Sequence, residues 1–193
     1  MHPWSDKVVV MRRSFLAFGL VTSALVTQVA FAQPPRISSK LAPYVASPSR
    51  VVDMMLDMAR VKPGEILFDL GSGDGRILIA AAERRAQATG IEINPKLVIA
   101  ATEEISRAGL SERAKVIQGD VMQTDFSAAN IVTLYMDTAS NAKLRPQLEK
   151  YLKPGSRVVS HDYEIPGWKA VRVEKTDEQK PHTIYLYEIA AKK

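Results

Sequence analysis

The sequence predicts an α/β fold, with a mostly parallel seven-stranded sheet, helices on both of its faces, and a last strand that runs antiparallel. Three observations predict it. Between residues 65 and 161, short apolar runs alternate with stretches of helical periodicity, the pattern of parallel strands joined by crossover helices. A glycine-rich turn, Gly71-Ser72-Gly73-Asp74-Gly75, directly follows the first of those runs. Two alternating runs near the C-terminus read as an antiparallel pair.

Taken in order, Ser49 is placed to cap a helix whose apolar residues Val51, Val52, Met54, Met55 and Met58 fall at helical spacing. Lys62-Pro63-Gly64 is a turn, and residues 65–70 are the first strand. Residues 76–85 are helical, with Ile77, Leu78, Ile79 and the alanines available to face the sheet. A second strand covers 88–93. Pro95 opens a helix that runs to about Arg107 and is stopped by Gly109. Strands three and four cover 114–118 and 130–136. A helix over 139–151 is interrupted or re-aimed near Pro146. After the turn Lys153-Pro154-Gly155 comes strand five, 157–161, and the closing pair covers about 169–174 and 183–189.

A chain of 193 residues, 46% hydrophobic and 24% charged, is long enough for one domain with a substantial core. The formal charge of +5 is mild, and Lys7, Arg12 and Arg13 set against Asp6 put part of it in the first 32 residues. No aromatic-rich basic stripe accompanies the remainder, so nucleic acid is not an expected partner. The absence of cysteine removes disulfides, thiolate catalysis, cysteine zinc sites and lipoprotein anchoring together. No metal is expected.

The N-terminus reads as an address. Lys7, Arg12 and Arg13 precede an uncharged stretch from Ser14 to Ala32 that ends in Ala30-Phe31-Ala32, the order of a secretory signal peptide. Arg12-Arg13-Ser14-Phe15-Leu16 also resembles the twin-arginine export signal. The expected organisation is a signal peptide over 1–32, a linker over 33–46 and one domain over 47–193. The location is then exported, periplasmic or membrane-associated. The stretch 14–32 is also nearly long enough to be an uncleaved anchor.

Ligands of open α/β sheets bind at the carboxyl ends of strands, where strand order reverses. Gly71, Gly73 and Gly75, with Ser72 and Asp74 between them, belong at that point, and glycine lets the main chain turn tightly against a ligand. Asp69 at the strand end could hold a ligand's amino group. The dinucleotide fingerprint G-x-G-x-x-G is the nearest rival, but its last glycine position is occupied by Arg76. Glu92, ending strand two, can accept from both ribose hydroxyls, and Ile93 can lie along an adenine. After strand three, Asp120 can accept from an adenine amino group while the Val121 amide donates to a ring nitrogen. Tyr135 and Asp137 after strand four, with His161 and Asp162 after strand five, are candidates for lining an acceptor site. Tyr135 is the expected wall and His161 the candidate proton acceptor.

With those residues in place, the chain from about Lys40 to Ile189 resembles the class I S-adenosylmethionine-dependent methyltransferases, whose fold is Rossmann-like. More narrowly it resembles the ATP synthase c-subunit lysine N-methyltransferases and their bacterial relatives. The segments that carry the resemblance are Tyr44-Val45, the run Asp69 to Arg76 (DLGSGDGR), residues 132–135 (VTLY), 144–146 (LRP), 152–155 (LKPG), 157–162 (RVVSHD) and Trp168. One departure is the lead-in, Tyr44-Val45-Ala46-Ser47-Pro48, where the family pattern has Tyr-Val-Pro-Thr-Pro. The resemblance implies S-adenosyl-L-methionine as cofactor, lysine in a protein as acceptor, and a role for the Tyr44 segment in closing over the cofactor. A small-molecule methyltransferase, or a non-catalytic envelope protein that keeps the cofactor fold, are the alternatives.

Overall fold

Strand β1 (Ile66–Leu70) is an interior strand of a seven-stranded sheet. In the computed structural model, residues 44–191 apart from Glu178 are described; the expected signal peptide and all of the expected linker before Tyr44 lie outside the described residues. Helix α1 (Ser49–Met58) comes first. After β1 follow α2 (Arg76–Glu83), β2 (Gln87–Glu92), α3 (Pro95–Arg107), β3 (Ala114–Gln118) and β4 (Ile131–Leu134). The chain then forms α4 (Thr138–Tyr151), β5 (Arg157–His161), β6 (Arg172–Lys175) and β7 (Thr183–Glu188).

The strand order is β3-β2-β1-β4-β5-β7-β6. β1 to β5 are mutually parallel, while β7 pairs antiparallel with both β5 and β6. The expected sheet, including its antiparallel last strand, is therefore present. Period-2 alternation splits its apolar side chains into two cores. Leu67, Ile131, Val159, Ile184 and Leu186 pack with α1, α2 and Ile105 of α3 on one face. Leu70, Val132, Val158 and Tyr187 pack on the other with Phe126, Leu144 and Leu148. Burying an aliphatic side chain of this size contributes roughly 1.5–3 kcal/mol, so each face is a substantial core.

Two local expectations are corrected. Ser49 does not cap α1. Pro48 stands at that position with extended backbone, its carbonyl accepts from Val52 N at 3.0 Å, and no side-chain cap bond is made. Nor does Pro146 interrupt α4, which runs through it to Tyr151. The tertiary packing of Leu144 and Leu148 outweighs one lost backbone bond there.

Because β1 is flanked by β2 on one side and β4 on the other, strand order reverses at β1/β4. That is where a crevice opens beyond the carboxyl ends of the strands. The glycine turn, the end of β2 and the end of β4 all converge on it.

Candidate active site

A cleft of about 820 Å³, counting its open mouth, is lined by Asp69, Gly71, Ser72, Asp74, Glu92, Ile93, Asp120 and Val121. The strap before α1 (Tyr44 to Ser47) and Tyr135 line it as well. Its size is that of a small-molecule site. Of the expected cofactor residues, those named here meet at one place, and Gly73 and Gly75 complete the turn that shapes it.

The turn is built from β1 outward. Gly71 N and Ser72 N donate to Ile91 O at 2.8 and 3.1 Å, folding the chain over the end of β2. Gly73 has φ +54°, and a Cβ there would collide with the ring of Tyr44. Gly75 has φ +81° at the start of α2, where a Cβ would come within 3.1 Å of Ala101 Cβ in α3. Gly75 therefore supplies the close helix approach, one position before Arg76.

Arg76 has a use the sequence did not disclose. Its guanidinium pairs with both Asp74 oxygens, Nε to Oδ1 at 3.0 Å and Nη2 to Oδ2 at 2.6 Å. Its Nη1 donates to Ser47 O at 2.7 Å, which ties the strap to the glycine turn. Burial pushes the Asp74 pKa up, but the hydrogen bonds and charge of Arg76 outweigh it and hold the carboxyl below its usual range. Tyr44 also bonds Asp74, and burial followed by that carboxylate's charge raises the Tyr44 pKa.

Glu92 is buried at the end of β2. Gly73 N donates to its Oε2 at 2.9 Å and Asn94 N to its Oε1 at 2.8 Å. Each oxygen keeps a second lone-pair site, so the pinned carboxylate can still accept two hydrogen bonds. Asp69 is 3% exposed and receives the Thr133 hydroxyl at 2.8 Å. Burial, opposed by that bond and assisted by the charges of Glu92 and Asp74, raises its pKa to about 7. Asp120 accepts from Met122 N at 2.9 Å, a local turn that aims its carboxylate while it lines the cleft. Apolar walls come from Ile77, Ile91, Ile93, Val121 and Met136.

Tyr135 also lines the cleft, and its hydroxyl donates to Asp162 Oδ2 at 3.2 Å. Burial and the Asp162 charge push its pKa up to about 12, so it is a neutral phenol. His161 is differently placed from its expected role. It is fully buried, is absent from the cleft lining, and has both ring nitrogens engaged: Nδ1 with Ser47 Oγ and Nε2 with His182 Nδ1, each at 2.9 Å. Burial drives its pKa down to about 4, so it is neutral at ordinary pH. The geometry makes it a support for the strap and for Tyr135, whose ring lies 3.8 Å from its own, rather than a base facing substrate. Asp137 is also corrected: it N-caps α4 through Ser140 N at 2.7 Å and does not line the cleft. The sequence gives no sign of the parts played by Ser47, Arg76 and His182. A serine in a lead-in and a histidine in a turn carry no local signal, and Arg76 stands out in the sequence only for the glycine it replaces.

Comparison with known proteins places this geometry in context. Residues 69–172 match the ANTKMT methyltransferase domain. A protein-lysine N-methyltransferase of Saccharolobus islandicus (strain REY15A) is 44% identical over 154 residues, covering 78% of this chain and 96% of the relative. The ATP synthase c-subunit lysine N-methyltransferase of Mus musculus is 32% identical over 182 residues, covering 93% of this chain and 72% of the relative. Among solved structures, an RNA methyltransferase from Salinibacter ruber in complex with S-adenosyl-L-homocysteine is 42% identical with a TM-score of 0.74, covering 77% of this chain and 95% of that one.

Proposed function

We propose, from the premise that the chain belongs to the family of ANTKMT methyltransferase domains, that it methylates lysine side chains of a protein. That it is an S-adenosylmethionine-dependent methyltransferase follows from the family itself. The observation that carries the lysine assignment is the 44% identity to an archaeal protein-lysine N-methyltransferase across 96% of that relative's length.

The residues of the cleft fit the cofactor. Asp69 is a carboxylate that burial leaves half-discharged near pH 7, and a cofactor ammonium would relieve it. The Gly73 position admits no side chain because the Tyr44 ring packs against it, so the strap and the glycine turn meet directly at the edge of the cleft. Asp69 would hold the amino group, Glu92 the ribose hydroxyls, and Asp120 with the Val121 amide the adenine edge. Gly71, Ser72 and Gly73 would shape the turn, Ile93 would lie against the base, and Tyr44 would close over the top, held by Asp74 and Arg76. Arg76→Gln is therefore expected to weaken cofactor binding by about tenfold, ~1.4 kcal/mol, in calorimetry. An unchanged affinity would show that the strap does not cover the cofactor.

The bound cofactor supplies a methyl group already activated by its sulfonium. The protein's work is to deliver the acceptor nitrogen in line and without its proton. Deprotonating a lysine of pKa near 10.4 costs about 4 kcal/mol at neutral pH. Tyr135 is no base, but its proton is committed to Asp162, so its oxygen can accept a hydrogen bond from the amine and aim the nitrogen lone pair. Tyr135→Phe is expected to lower kcat on the order of 10²-fold with cofactor affinity unchanged. Equal loss of both would assign the residue to cofactor binding instead.

A second reading, with RNA as acceptor, has the Salinibacter ruber relative in its favour. The mild net charge and lack of an aromatic basic stripe weigh against it. No described helix is long and apolar enough to cross a membrane. The residue pattern of 1–32 supports export or anchoring of the chain, which makes a protein of the envelope or membrane the proposed acceptor. Fused to a reporter active only after export, residues 1–40 are expected to yield activity; a silent fusion with the same reporter active behind a known signal would remove the export reading.

Labelled-methyl transfer into a soluble and a membrane fraction, followed by mass spectrometry, tests the acceptor. Methyl-lysine supports the proposal, and ribonuclease-sensitive label supports the RNA reading.

A further inference from the structure

We propose that His161, Asp162 and His182 form a binding site for a divalent first-row transition ion, with zinc the fitting member. The site is built by the antiparallel register of β5 and β7. His161 pairs with Ile184, and Asp162 N bonds Thr183 O at 2.6 Å, so residue 182 arrives beside residues 161 and 162. His182 is fixed from the other side, its N donating to Thr176 Oγ1 at 2.9 Å.

Three potential ligand atoms then converge. His161 Nε2 lies 2.9 Å from His182 Nδ1, His182 Nδ1 lies 2.9 Å from Asp162 Oδ2, and His161 Nε2 lies 3.3 Å from the same oxygen. Ions bound by imidazole and carboxylate at ~2.0–2.1 Å, with angles between 90° and 109°, hold their ligand atoms roughly 2.9–3.4 Å apart. The triangle has the side lengths that coordination requires. Protons satisfy it less well. If both imidazoles donate to Asp162, two N–H groups face each other at 2.9 Å; if only one does, a single hydrogen serves two contacts.

The surroundings are those of a metal site. His161 Nδ1 bonds Ser47 Oγ, and Asp162 Oδ1 accepts from Thr183 N at 2.9 Å, so two ligands carry the outer partners that orient them. Asp162 sits at φ +60°, in the left-handed region that few residues other than glycine adopt. His161 is fully buried, whereas the His182 and Asp162 side chains are about one-quarter exposed, which gives an ion a way in. Two imidazoles and one carboxylate suit zinc, and three protein ligands leave a position for water. Bound there, the ion would lock His161, and through it Ser47 of the strap, beside Tyr135. The inference stands apart from the identity of the methyl acceptor.

The test uses the untagged full chain, stripped with chelator and titrated with Zn²⁺ by calorimetry and with Co²⁺ by visible absorption. One equivalent is expected to bind, with at least a hundredfold loss of affinity in His182→Gln and in Asp162→Asn, while His182→Gln still binds S-adenosylhomocysteine. The chain has only three histidines, His2, His161 and His182, so imidazole NMR of the wild type gives a readout independent of any variant. Zinc is expected to shift two of the three. No stoichiometric binding, binding that survives both substitutions, or zinc that leaves the His161 and His182 signals in place would overturn the site.

Discussion

Glu92→Ala is expected to abolish measurable S-adenosylmethionine binding. Two effects add. The substitution removes the side chain at the end of β2 that is able to accept from both ribose hydroxyls. It also leaves Gly73 N and Asn94 N without the acceptors that hold the glycine turn and the start of α3. Hydrogen bonds to a charged group contribute about 1.5–3 kcal/mol each, so losing the pair on the ribose weakens binding roughly 10²- to 10⁴-fold before the turn relaxes. Glu92→Gln, which keeps one accepting oxygen, is expected between the two. Calorimetry on the purified chain reads both, and wild-type affinity in the alanine variant would dissociate Glu92 from the cofactor.

Asp69→Asn is expected to give a second large effect, with a signature in pH. In the free protein Asp69 has its pKa raised to about 7, chiefly by burial. Only the ionised form pairs with an ammonium, so wild-type cofactor affinity is expected to fall about tenfold for each pH unit below 7. The asparagine variant is expected to bind weakly and without that slope. Stability runs the opposite way. A carboxyl whose folded pKa is raised holds its proton longer in the native state than in the unfolded one. Its contribution is present below about pH 4 and is lost as pH rises to about 7, at roughly 1.4 kcal/mol for each pH unit. The ligand-free wild type therefore melts lower at pH 8 than Asp69→Asn, and cofactor reverses the order. Thermal melts with and without S-adenosylhomocysteine check this, and matching pH profiles for the two proteins would contradict it. Ionised Asp69 is costly in its buried position, and a cofactor ammonium beside it would offset that cost.

The parts of this molecule that were legible in the sequence are those that depend on neighbours in the chain. Strand and helix periods placed every described element within a few residues, and the glycine turn with Glu92 and Asp120 marked the crevice because each ends a strand at the same edge of the sheet. Ser49 and Asp137 depart from expectation for a related reason. Both have cap chemistry near a helix start, and only backbone geometry decides which residue takes the cap and which turns elsewhere. His161 stands at a strand end, as a site residue should, but burial under the strap and against His182 consumes both its nitrogens. His182 itself was invisible. Its meeting with His161 and Asp162 depends on the register of β7 against β5, and no local pattern reports a register between strands so far apart in the chain. The same holds for Arg76, whose bond to Ser47 O crosses 29 residues and turns a departure from one nucleotide motif into the clasp of another cleft.

Methyl transfer from S-adenosylmethionine to protein lysine is read out by incubating the purified chain with methyl-labelled cofactor and the proteins, RNA and lipids of its own cells. Label is expected in protein, resistant to ribonuclease and to lipid extraction, located at methylated lysine by mass spectrometry and absent with Glu92→Ala. Label confined to RNA, lipid or a small metabolite, with no methyl-lysine formed, would contradict it.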